Sequence, residues 1–242
     1  MGELQGQVAV VTGASSGIGR AIAIALAAQG ACVALVGRRL EALRQVAAAF
    51  PAGALPASHH CADLAAGDEV ERLARELRGG HERMAVLVHA AGIHAMGPTA
   101  QAAPALLDEQ YRVHMRAPYV LTQQLLPSLI AGRGQVVFVN SSAALAARAG
   151  VSLYAATKLA QKALADGLRA EVNAAGVRVL SVFPGRTATP MQAAVHAAEG
   201  RTYDPAVLMQ PEDVAAMTLH ALALPRTAEV TEIHMRPMAR TG

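Results

Sequence analysis

Tyr154 and Lys158 stand one helical turn apart in Tyr154-Ala155-Ala156-Thr157-Lys158, so a helix there puts a phenol and an ammonium on one face. A free phenol titrates at about 10, and a neighbouring cation favours the phenolate. Such a pair suits proton transfer to or from an oxygen whose charge changes during a reaction. Composition sharpens the pairing, because the only lysines in this arginine-rich chain are Lys158 and Lys162, and arginine would not supply the same compact point charge. Ser141 stands earlier, at the end of an apolar run, where its hydroxyl can donate to an oxygen gaining charge. Ser142 is the competing candidate, and either serine could instead satisfy backbone groups of a loop.

A second constellation lies near the start. Thr12-Gly13-Ala14-Ser15-Ser16-Gly17-Ile18-Gly19 follows an apolar run and opens a helical pattern, the context that a dinucleotide phosphate site requires. Glycines permit the sharp turn, and the helix N-terminus offers unpaired N–H groups to the phosphates. At the end of the second strand a carboxylate would bind a ribose 2′-hydroxyl, but the chain has Gly37-Arg38-Arg39 there. A guanidinium pairs with a 2′-phosphate and stacks on adenine, so NADP(H) is expected over NAD(H). Arg38, nearer the strand end, is the preferred contact, with Arg39 either assisting or solvated. A proton-handling pair beside a nicotinamide predicts hydride transfer between a ketone or aldehyde and an alcohol.

The elements that must position these groups can be read from the pattern of apolar residues. Short apolar runs alternate with helical ones along the whole chain, the signature of repeated βαβ units. Strands are expected at Val8–Val11, Cys32–Val36, Ala57–Cys61, Met84–His89, Gln135–Asn140, Val177–Val182 and Glu229–Met235. Helices are expected at Gly19–Gln29, Leu40–Phe50, Asp68–Leu77, Ala105–Ala131, Tyr154–Ala174 and Pro211–Ala223, with Pro184–Gln210 the least regular stretch. Uniformly apolar strands such as Met84-Ala85-Val86-Leu87-Val88 imply burial on both faces. The fold class is therefore α/β: a Rossmann-like, doubly wound, mostly parallel seven-stranded sheet with helices on both faces, and residues 1–242 read as one domain.

Composition bounds the function classes. With 53% hydrophobic and 16% charged residues the chain can bury a large core. Aromatics at 3% argue against a base-stacking surface, and a net charge of +3 from scattered arginines marks no nucleic-acid stripe. The two cysteines, Cys32 and Cys61, read as reduced thiols, and the histidines lack metal-ligand spacing, so no metal site is expected. No export or membrane-spanning signal is read, and a cytoplasmic location is expected.

Together these motifs resemble the short-chain dehydrogenase/reductase family: Thr12-Gly13 with Gly17-Ile18-Gly19, the Ser141 to Tyr154 spacing, Tyr154 with Lys158, and Pro184-Gly185 occur in the family's order across essentially the whole chain. The resemblance implies that Tyr154 is the acid or base, that Lys158 binds ribose and lowers the tyrosine pKa, and that Ser141 orients substrate. It implies cofactor contacts from Gly13, Ser15, Ser16, Gly17, Ile18, Gly19, Asp63 and Leu64, from Ala90, Ala91 and Gly92, and from Pro184, Gly185, Thr187 and Thr189. It also implies a homo-oligomer, dimer or tetramer, built on the helices containing Arg116 and Ala163. Two positions depart from the family pattern, where asparagine is common: His89 and His114. His114 either substitutes in a proton relay or packs within its helix, and His89 reads as a strand-end side chain bonded to nearby backbone. A nucleotide-binding regulatory protein with little turnover is the competing reading, against which the presence of Ser141, Tyr154 and Lys158 speaks; an isomerase using nicotinamide transiently is a third.

Overall fold

A computed structural model describes residues 4–239. Seven strands form one sheet: β1 (Val8–Thr12), β2 (Cys32–Gly37), β3 (Ser58–Cys61), β4 (Val86–His89), β5 (Gln135–Val139), β6 (Arg178–Pro184) and β7 (Glu232–Met235). Their order is β3-β2-β1-β4-β5-β6-β7, and every pairing is parallel, with Val10 beside both Ala34 and Leu87 at the centre. Central strands are buried on both faces, as their β-branched runs require; β5 is buried at every position.

Among the described residues eight α-helices supply the cover: α1 (Gly17–Ala28), α2 (Leu40–Ala48), α3 (Gly67–Gly80), α4 (Pro104–Tyr111), α5 (Ala117–Gly132), α6 (Ser152–Val172), α7 (Pro190–Ala198) and α8 (Pro211–Leu222). Two cores result. One packs α1, α2 and α8 on one face of the sheet, with Ile22, Leu26, Leu43 and Val214 fully buried; the other packs α3, α5 and α6 on the opposite face, around Leu73, Leu121, Leu125 and Phe138. Truncating Phe138 to alanine would cost about 3–5 kcal/mol by transfer and cavity terms. Among the described residues no helix is long and apolar enough to cross a membrane.

Two expectations need correction. The continuous helix expected over Ala105–Ala131 is interrupted by a π turn at Arg112–Arg116. Pro118 is the physical reason: its ring clashes with the carbonyl of His114 four residues back and it offers that carbonyl no N–H. The irregular stretch Pro184–Gln210 contains α7. Thr189 caps it by accepting from the Gln192 N–H at 3.1 Å, and Pro190 occupies the first turn; Thr-Pro is a readable start signal.

Candidate active site

Because all the strands run one way, their C-terminal ends share an edge, and β1 and β4 are the neighbours from which the connections diverge. A crevice opens outside such a switch point. Here it has a volume of about 810 Å³ and is lined by Gly13, Ser15, Ser16, Gly17, Ile18, Gly19, Arg38, Asp63, Leu64, Ala90, Ala91, Gly92, Ser141, Tyr154, Lys158, Pro184, Gly185, Thr187 and Thr189. Of the residues singled out from sequence, Arg39, His89 and His114 lie outside this lining.

The glycine turn is shaped by close approach. Gly13 has φ +66°, and a Cβ there would come within 2.6 Å of the Ala91 Cα. At Gly19 a Cβ would stand 2.4 Å from the Gly13 carbonyl oxygen, so only glycine lets α1 start against its own turn. Thr12 ties this turn to β4: its hydroxyl donates to the Val88 carbonyl at 3.2 Å and accepts from the N–H groups of Ala90 and Ala91 at 3.2 and 3.3 Å. Ser16, the N-cap of α1, makes no side-chain cap bond, and the first turn carries no acidic residue. The amides of that turn thus keep their donor capacity at the cleft wall, which fits a phosphate. Arg38 is exposed at the end of β2, while Asp63 accepts from the Ala65 N–H at 3.0 Å and lines the same wall.

Across the cleft, α6 presents Tyr154 and Lys158, with relative exposures of 8% and 3%. Lys158 Nζ donates to the Val139 carbonyl at 2.9 Å and to Gln161 Oε1 at 3.1 Å. Burial pulls its pKa down to about 7. Burial pushes the Tyr154 phenol above its ordinary value, and a hydrogen bond with Ser141 opposes this. Desolvation is the larger influence on the Tyr154 phenol and the Ser141 hydrogen bond the smaller. Asn140, to which the sequence pattern assigns no role, places both partners. It donates to the Lys158 carbonyl at 3.0 Å and accepts from the Ser141 N–H at 2.8 Å.

His89 and His114 stand outside the cleft lining. His114 is fully buried, with Nε2 accepting from the Ile93 N–H at 3.1 Å. Its Nδ1 must then carry the proton toward Thr157 Oγ1, 2.9 Å away. Both nitrogens are engaged and burial lowers its pKa to about 2; the ring ties the loop after β4 to α6. His89 bonds not to backbone but to Thr122 Oγ1 at 2.8 Å, beside the ring of Phe138. His94, in the segment after β4, lines the cleft against Tyr154.

Comparison with known proteins agrees with this geometry. Residues 7–200 match the family model described as short chain dehydrogenase. A glycine betaine reductase of Emericella nidulans is 35% identical over 98% of this chain, which spans only 19% of that longer protein. An uncharacterized short-chain type dehydrogenase/reductase of Sinorhizobium fredii is 33% identical over 96% of this chain and 91% of its own length. Among solved structures, a metagenomic short-chain oxidoreductase in complex with NADP is 32% identical, covers 98% of this chain and 99% of its own, and superposes with a TM-score of 0.84. A glycine turn and a Ser-Tyr-Lys set facing one cleft, a family model matched over most of the length and a relative matched nearly end to end lead to one conclusion: the chain belongs to the short-chain dehydrogenase/reductase family of oxidoreductases.

Proposed function

We propose that this protein reduces a ketone or aldehyde to an alcohol at the expense of NADPH, with the whole chain acting as one dinucleotide-binding domain. The observation that carries the reading is the placement of Ser141, Tyr154 and Lys158 on the cleft whose far wall is the glycine turn and Arg38. NADPH, when bound, supplies the hydride. The amides of the first turn of α1, with Ser15 and Ser16, suit its pyrophosphate, and Arg38 suits the 2′-phosphate. Among the residues that line the cleft, Asp63 and Leu64 would hold the adenine, and Ala90, Ala91, Gly92, Pro184, Gly185, Thr187 and Thr189 would hold the nicotinamide.

Tyr154 gives its proton to the carbonyl oxygen. A phenol raised by burial is protonated at neutral pH, the form an acid needs, and this favours the reductive direction. Ser141 binds the same oxygen as charge develops on it. Lys158 binds ribose hydroxyls with the proton its two protein bonds leave over. His114 positions rather than reacts. The NADP in the metagenomic relative supports the cofactor assignment. Exposed apolar side chains on the outer helices, Leu107, Tyr111, Tyr119 and Leu159, support self-association.

Fluorescence titration with NADPH and NADH, followed by a carbonyl panel assayed by loss of NADPH absorbance, tests this. Tighter binding of NADPH together with turnover is expected. Binding without turnover of any carbonyl would favour a regulatory role, and absence of binding would remove the reading.

A further inference from the structure

We propose that Gln161 is a positioning residue of the site: its amide clamps the Lys158 side chain to the π turn beneath it and so fixes where the ammonium meets a ligand. The causes begin at Pro118. In a regular helix the His114 carbonyl would accept from the N–H of residue 118, and proline has none. The helix widens into the π turn over Arg112–Arg116, and the His114 carbonyl accepts instead from Gln161 Nε2 at 2.9 Å. The other end of that amide, Oε1, accepts from Lys158 Nζ at 3.1 Å. Gln161 is 0% exposed, so it spans the two groups in the protein interior.

A space-filling role does not account for this arrangement. An apolar side chain of the same shape would fill the volume yet leave a buried carbonyl and a buried cation each one partner short. The titratable groups around the ammonium are Tyr154 on α6 itself, His89 from β4 and His114 from the π turn. Burial keeps both imidazoles neutral, with pKa values of about 3 and about 2, and their hydrogen bonds go elsewhere, His89 to Thr122 and His114 to Ile93 and Thr157. Val139 and Gln161 supply the oxygens that do. The role of Gln161 in catalysis rests on the reading of Lys158 and Tyr154 as cofactor-binding and proton-transferring groups.

The chain's lysine content makes a direct test possible. Because Lys158 and Lys162 are its only lysines, isotopic labelling of lysine side-chain nitrogen in the full chain gives two signals that can be titrated by NMR. Loss of one hydrogen bond to a charged group should lower the Lys158 midpoint in Gln161→Met by about one pH unit. Gln161→Glu should raise it, while Lys162 serves as internal reference in both. A Lys158 midpoint unchanged in Gln161→Met, or displaced in the same direction by both variants, overturns the proposal. Should Gln161→Met fail to fold, Gln161→Glu decides alone: an upward shift supports the clamp and any other result overturns it. The measurement needs neither NADPH nor a carbonyl, so a failure of the reductase reading would appear separately, as absence of turnover in the wild-type chain.

Discussion

The ring of His94 lies against the ring of Tyr154, with centroids 4.4 Å apart and planes inclined at 47°. His94 also lines the cleft, so a substrate whose oxygen reaches the Tyr154 hydroxyl passes beside this imidazole. Burial lowers the His94 pKa, with Glu199 opposing the shift, so the ring meets substrate mainly as a neutral plate. His94→Phe keeps the plate and should retain kcat/KM within a few-fold. His94→Ala exposes one face of the phenol and should lower kcat/KM by about ten-fold, the scale of an aromatic contact of ~1.4 kcal/mol. Equal losses in the two variants would show that the imidazole nitrogen, not the ring, matters.

Tyr154→Phe removes the proposed acid while leaving the packed ring. Turnover should fall by about 10²–10⁴, the usual contribution of a positioned acid, with NADPH affinity little changed. Since burial raises the Tyr154 pKa, the loss of reduction rate that this phenol causes should fall on the alkaline side, apart from any change near pH 7 where Lys158 gives up its proton. Steady-state kinetics across a pH series gives both answers. A phenylalanine variant with near-normal turnover would eliminate Tyr154 as the acid.

Arg38 and Arg39 separate in space, although they are neighbours in sequence. Arg38 lines the cleft, whereas Arg39 precedes α2 as its N-cap and does not. Arg38→Ala should therefore weaken NADPH by about 10–100-fold, the worth of a charge-assisted pair, and leave NADH almost unaffected. Arg39→Ala should change either affinity by no more than a few-fold. Fluorescence titrations of both variants with both nucleotides check this, and a larger effect at Arg39 would reverse the assignment.

Lys158 should make stability depend on pH in a defined window. Burial brings its pKa to about 7, from an ordinary value of 10.5. Between these limits the unfolded chain holds a proton that the folded chain has released, so the wild type gains stability as pH rises. Relative to Lys158→Met, which cannot titrate, that gain should amount to a few kcal/mol at most, since each tenfold weakening of proton binding is worth about 1.4 kcal/mol. Urea unfolding of both proteins at neutral and alkaline pH measures it. A difference that does not change with pH would mean that the ammonium is well solvated when folded.

Local chemistry by itself determined much of this protein. A parallel sheet needs strands that are apolar throughout, and runs such as Val86-Leu87-Val88 announce it, as Gly13, Gly17 and Gly19 announce the turn. Tyr154 and Lys158 share a helix face at any tertiary arrangement, because helical spacing places them there. Gln161, one further turn along, carries the same signal: a polar residue on a buried face. Two features of the backbone were also legible but easily missed, Pro118 within a helical run and Thr189-Pro190 at a helix start. Only the tertiary structure decided what depends on groups far apart in the chain. The tyrosine's acidity follows from desolvation between α6 and the sheet, which no spacing encodes. The partners of His114 were set there too: Ile93 and Thr157, brought from two other segments, occupy both of its nitrogens. The Pro118 defect acquires meaning only where α6 crosses it and Gln161 meets the freed carbonyl.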